Sequence, residues 1–143
     1  MARVSKDVPS PDPGRSSLLQ RRLFWLGIAG GFLLFAIGVR FIVDPGAAQR
    51  TFGLPRQLAG SELHAVIGLR DLWLGGLAVA FAWLRQWRAL ALWLLMGALV
   101  CFGDGLIVLN AGFKAWALAF HWGCGVVCLW GGARCWRIGA DSA

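Results

Sequence analysis

"LHAVIGLRDLWLGGLAVAFAWL", residues 63–84, decides the fold. At about 1.5 Å of rise per helical residue it is long enough to cross the roughly 30 Å hydrocarbon core of a bilayer. Its only formal charges are Arg70 and Asp71, side by side. Three further stretches match it in length and apolar character, at about 22–43, 89–109 and 115–136. The whole chain of 143 residues is 58% hydrophobic with 20 glycines, and its mean hydropathy is +0.64. Those values lie outside the range of soluble domains. The expected fold is therefore all-α: an integral membrane four-helix bundle with antiparallel spans, at residues 22–136.

The residues before the first span, "MARVSKDVPSPDPGRSSLLQR", include Pro9, Pro11 and Pro13 among polar and charged residues. Such a composition reads as a disordered tail over 1–21, with a second short tail over 137–143. A cleaved signal peptide is the competing reading of the N-terminus, since "GAA" at 46–48 has the small residues of a cleavage site. The apolar run before it exceeds the about 7–15 residues of a signal core, which favours a retained span.

Orientation follows from the basic residues. Arg3, Lys6, Arg15, Arg21, Arg22, Arg85, Arg88, Arg134 and Arg137 fall on one side of the spans, and Arg50, Arg56 and Lys114 on the other. The positive-inside rule then puts both termini in the cytoplasm of a multi-pass protein of the cell inner membrane. The same bias, with attraction to anionic lipid headgroups, explains the net charge of +7. A nucleic-acid partner is not implied, because no basic patch is interleaved with aromatics on a soluble surface. Trp25, Trp83, Trp87, Trp130 and Trp136 near the cytoplasmic ends and Trp116 near an outer end fit interfacial anchors, whereas Trp73 and Trp122 lie deeper, as packing or pocket residues.

The one long connection, residues 44–62, opens with a helix-stopping Asp44-Pro45 and is broken again at Pro55, so it is expected to lie along the outer surface. Ser61 is a plausible N-cap for the next helix, with Glu62 in its first turn. The other connections are short enough to make sequential helices antiparallel neighbours. Gly27 and Gly31 form a GxxxG pair with Gly38 one heptad on, and Gly68 and Gly75 bracket Asp71. These are helix-packing signals, either within the bundle or against a second copy.

Depth brings the ionisable residues together. Arg70 and Asp71 lie about 10–12 Å below the outer end of the second span, Asp104 about 8 Å below that of the third, His121 about 9 Å and Arg40 about 5 Å. His64, seven residues before Asp71, shares its face nearer the mouth. An unpaired charge costs several kcal/mol in an apolar slab, so Arg70 is expected to pair with Asp104 or Asp71, and His121 with the remaining carboxylate. Adjacent positions point about 100° apart on a helix, so Arg70 and Asp71 are not expected to face one another well. The candidate site residues are Asp71, Asp104 and His121 for proton transfer, with Arg70, His64 and Arg40 binding a ligand.

Cys101, Cys124, Cys128 and Cys135 all fall within spans, three of them on one stripe with His121. One helix supplies too few ligands for a tetrahedral metal set, and neither a paired CxxC nor CxxCH occurs, so no metal site is expected. No cofactor is indicated, and no phosphate loop, nucleophile elbow or HExxH is present.

At "IGLRDLWLGG" (67–76), "FGDGLIVL" (102–109) and His121, the chain resembles the small four-span bacterial membrane proteins grouped as a domain of unknown function, and more broadly DoxX-like four-helix proteins. The resemblance covers about residues 22–136 and implies the fold and the polar layer. It assigns no reaction. The residues themselves suit a pocket that binds a lipophilic small molecule and transforms it by proton transfer. The alternative is a non-enzymatic subunit or assembly factor whose ionic cluster fixes helix register. A homo-oligomeric carrier is disfavoured, since the first span has no acid and no inverted repeat is evident.

Overall fold

The computed structural model describes residues 13–54, 61–112 and 114–141, and the side chains of all of these but 13–16 and 61. Among the described residues there are five helices and no strand: α1 (Pro13–Val43), α2 (Pro45–Phe52), α3 (Ser61–Trp83), α4 (Trp87–Asn110) and α5 (Ala115–Asp141). The four long helices contain stretches long and apolar enough to cross a membrane, Ser17–Val43, Glu62–Trp83, Trp87–Asn110 and Ala115–Asp141. The chain is thus a multi-pass helical bundle with one additional short helix.

The helices outrun the expected spans at the arginine-rich end. Residues 13–21, expected in a disordered tail, begin α1, and α5 continues to Asp141. The reason is packing. Leu23 is fully buried and Leu19 and Phe24 pack against the core, so the helix that presents them extends back through Leu18 and Gln20, both good helix formers. Residues 1–12 lie outside the described residues.

Two close pairs make the bundle: α1 packs along α3, and α4 along α5, with fewer contacts between the pairs. Glycines set the first pair. A Cβ on Gly31 would stand 2.7 Å from the Gly75 carbonyl oxygen, and one on Gly38 would stand 2.6 Å from that of Gly68. Backbone meets backbone at both crossings, seven residues apart on each helix, with Asp71 between them. The Gly27 and Gly31 face therefore packs inside the bundle, Gly27 against Ala82 and Leu90. At the arginine-rich end the pairs are joined by a core of Leu23, Ala82, Trp87, Leu90, Ala91, Leu94 and Cys135. Trp87 is a core residue there, not an interfacial anchor, and Arg88 Nε donates to the Gly139 carbonyl at 3.0 Å, tying α4 to α5.

The Asp44-Pro45 step does not stop the chain's helical course; it restarts it. Asp44 Oδ1 accepts from the Ala47 N–H at 2.9 Å, and Pro45 occupies the first turn, where its missing N–H is harmless. The resulting helix α2 ends at Gly53, whose φ of 104° lies in the left-handed region and whose N–H returns to the carbonyls of Gln49 and Arg50. The first connection thus contains a short helix at the end of the bundle, with Ala48, Gln49 and Gly53 buried against it and Asp44, Arg50 and Thr51 exposed. The side chain of Ser61, and with it the expected cap, lies outside the described residues, as does Pro55; Glu62 is in the first turn of α3.

Candidate functional site

The polar residues gather in the half of the bundle nearer α2. On α3, His64 and Asp71 share the buried face, as their spacing of seven predicts, with Gly68 and Gly75 on either side of Asp71. The close glycine crossings hold this stretch of α3 against α1, so Asp71 sits on a rigid element.

Arg70 and Asp71 do pair. Arg70 Nε and Nη2 both donate to Asp71 Oδ1 at 3.1 Å. The 100° offset of their Cα–Cβ directions was the wrong guide, because the long arginine stem folds back along its own helix to reach the neighbouring carboxylate. The partners differ in setting: the Asp71 side chain is 7% exposed, the Arg70 side chain 51%. Arg70 therefore stands at the edge of the bundle with Asp71 inside it.

Neither histidine hydrogen-bonds to a carboxylate among the described residues. His64 Nε2 pairs with Gln49 Oε1 at 3.3 Å, both groups buried, and the His64 ring stacks on Phe41. His121 Nε2 lies 3.2 Å from the Phe52 carbonyl oxygen, and since a carbonyl only accepts, this nitrogen carries the proton. The expected pairing of His121 with a carboxylate is thus replaced by a backbone contact. Phe52 packs on His121, with ring centroids 4.6 Å apart, and edge-on to Phe41. A Cβ on Gly53 would stand 2.7 Å from Ala117 Cβ, so α2 closes over α5 as well as over α1 and α3. Both imidazoles hold α2 in place as a roof.

Gln49, Phe41 and Phe52 are site residues that the sequence reading missed. The signal was present in Asp44-Pro45 followed by Gly53, a cap, a first-turn proline and a C-terminal glycine eight residues on. Asp104 is partly buried on α4 and within electrostatic range of His121, Arg70 and Asp71. It makes no hydrogen bond or ion pair among the described residues. Arg40 is exposed at the end of α1 and is not brought to the cluster.

Among the described residues no group of three or more His, Cys, Asp or Glu could hold a metal ion. Cys101 on α4 and Cys128 on α5 lie close enough for their thiols to interact electrostatically, and all four cysteines are free. Trp73, expected deep in the packing, is 65% exposed on the outside of α3, while Trp122 packs its indole against Gly105.

A family model described as "Domain of unknown function (DUF4267)" matches residues 31–134, and the chain belongs to that family. The match spans Arg40, His64, Arg70, Asp71, Asp104 and His121. No curated protein and no solved structure matches the chain.

Proposed function

We propose that this protein binds a lipophilic small molecule at the layer formed by Arg70, Asp71, Asp104 and His121 and moves a proton on it. The observation that supports this most is the state of Asp104, a partly buried carboxyl near three other ionisable groups with no direct bond to any of them among the described residues. A purely structural cluster would join helices through its charges. Here the one ion pair among the described residues is between neighbours on α3 and joins no two helices, and carrying ionisable groups inside a bilayer is expensive. In this reading Arg70 binds the polar part of the ligand, Asp104 accepts or returns the proton, Asp71 keeps Arg70 in place, and His64 and His121 hold the roof. The setting is the inner membrane with both termini cytoplasmic, which rests on the arginine bias alone.

The test is mass spectrometry of the apolar compounds that co-purify with the protein in detergent or nanodiscs. A compound enriched over bulk lipid in the wild type and lost in Arg70→Gln is the expected result. The same extract from both proteins would overturn the reading and favour a subunit or assembly role.

A further inference from the structure

We propose that the site is reached sideways from the bilayer, between α3 and α4, and that its ligand is an uncharged amphiphile whose headgroup carries a hydrogen-bond acceptor beside a donor. This rests on the binding role proposed above and adds the route and the chemical class.

The route follows from which sides are closed. Towards the α2 end, Gln49 and Phe52 lie against His64 and His121, so the layer is roofed. Towards the arginine-rich end the joint core around Leu23 and Leu90, both fully buried, leaves no passage. The glycine crossings close α1 onto α3, and Phe102 and Trp122 pack α4 onto α5 against Gly125 and Gly105. Two sides remain, α3–α4 and α1–α5, both with far sparser contact than either close pair, and it is the α3–α4 side that carries Arg70 and Asp104. Arg70 stands there half exposed, beside lipid-facing Val66 one turn away on α3. On α4, Val100 and Ile107 lie one turn before and one turn after Asp104, and both are exposed. A guanidinium at this depth, open on the side of the acyl chains, is reached by a molecule already dissolved in them.

The headgroup class follows from charge. The Arg70–Asp71 pair is already neutral in sum, with the guanidinium's Nη1 free of Asp71. An anionic head would meet Arg70 but lie against Asp71 and Asp104, whereas a cationic head entering by this route would meet the half-exposed guanidinium first, with Asp71 buried behind it, before it could reach Asp104. In a low-dielectric layer either mismatch is heavily penalised. An uncharged head with a carbonyl for the guanidinium and a hydroxyl for Asp104 satisfies both.

The experiment is photolabelling of the full chain in phosphatidylcholine nanodiscs with three diazirine lipids: a monoacylglycerol, a phosphatidic acid and an alkylamine. The monoacylglycerol is expected to label α3 and α4 near Arg70 and Asp104 at least fivefold above both charged probes. Asp104→Ala should abolish that excess. Val100→Trp, which adds bulk on a lipid-facing position and leaves the core alone, should reduce it at least fivefold, and this variant carries the test if Asp104→Ala does not fold. Stronger labelling by a charged probe, still dependent on Asp104, would overturn the headgroup assignment while leaving a binding site. Labelling indifferent to Val100→Trp would overturn the route. No labelling above bulk by any probe would overturn this inference and the binding role together.

Discussion

Arg70 and Asp71, adjacent on α3, form an ion pair at 3.1 Å in which the acid is buried and the base half exposed. The pair spans the boundary between bundle interior and bilayer, and the asymmetry makes the two residues unequal in mutation. Removing Arg70 leaves a carboxyl that can take up a proton and become neutral. Removing Asp71 leaves a guanidinium that cannot lose its charge. Asp71→Ala should therefore destabilise the protein by about 1–3 kcal/mol more than Arg70→Ala, with the double variant recovering part of the loss. Thermal unfolding of the three variants in identical nanodiscs measures this, and equal losses would contradict it.

The paired glycines at 30–31 offer an internal contrast. A Cβ at Gly31 meets the Gly75 carbonyl oxygen and Val79 Cγ2 at 2.7 Å, while one at Gly30 meets nothing within 4 Å. Gly31→Ala should cost about 1–3 kcal/mol by forcing α1 from α3. Gly30→Ala should be neutral or stabilise by up to about 1 kcal/mol, since alanine is the better helix former. Melting of the two variants checks the ordering.

Helix α2 should be separable from the bundle it covers. Gly53→Ala strains a left-handed residue and drives a methyl into Ala117 and Val108, a cost of about 1–3 kcal/mol concentrated at the roof. His121→Phe removes the contact to the Phe52 carbonyl and should cost about 1 kcal/mol. Hydrogen exchange of amides 47–53 is expected to rise in both variants, with amides of the α4–α5 contact unchanged. Uniform loss of protection would mean that α2 is integral to the bundle.

The long helices were legible because a bilayer demands apolar length, and length is countable. Asp71, Asp104 and His121 were placed in one layer by rise per residue alone, which needs no knowledge of packing. The pairings were not legible. Arg70 reached Asp71 through a flexible stem that Cβ directions do not describe, and His121 found a carbonyl on α2. That helix went unread because Asp-Pro both ends one helix and begins another, and hydropathy is silent about an eight-residue segment. Trp73 and Trp87 exchanged their expected settings for the same reason: depth along a helix says nothing about which face looks outward.

The central claim is that Asp104 is kept for a ligand and not for the fold. The direct test is the stability of Asp104→Asn against wild type in the same lipid nanodiscs. Stability unchanged within about 0.5 kcal/mol, or raised, is the predicted result, as for a carboxylate retained for function. A loss of about 3 kcal/mol or more would mark Asp104 as a partner in a structural ion network and would contradict the claim.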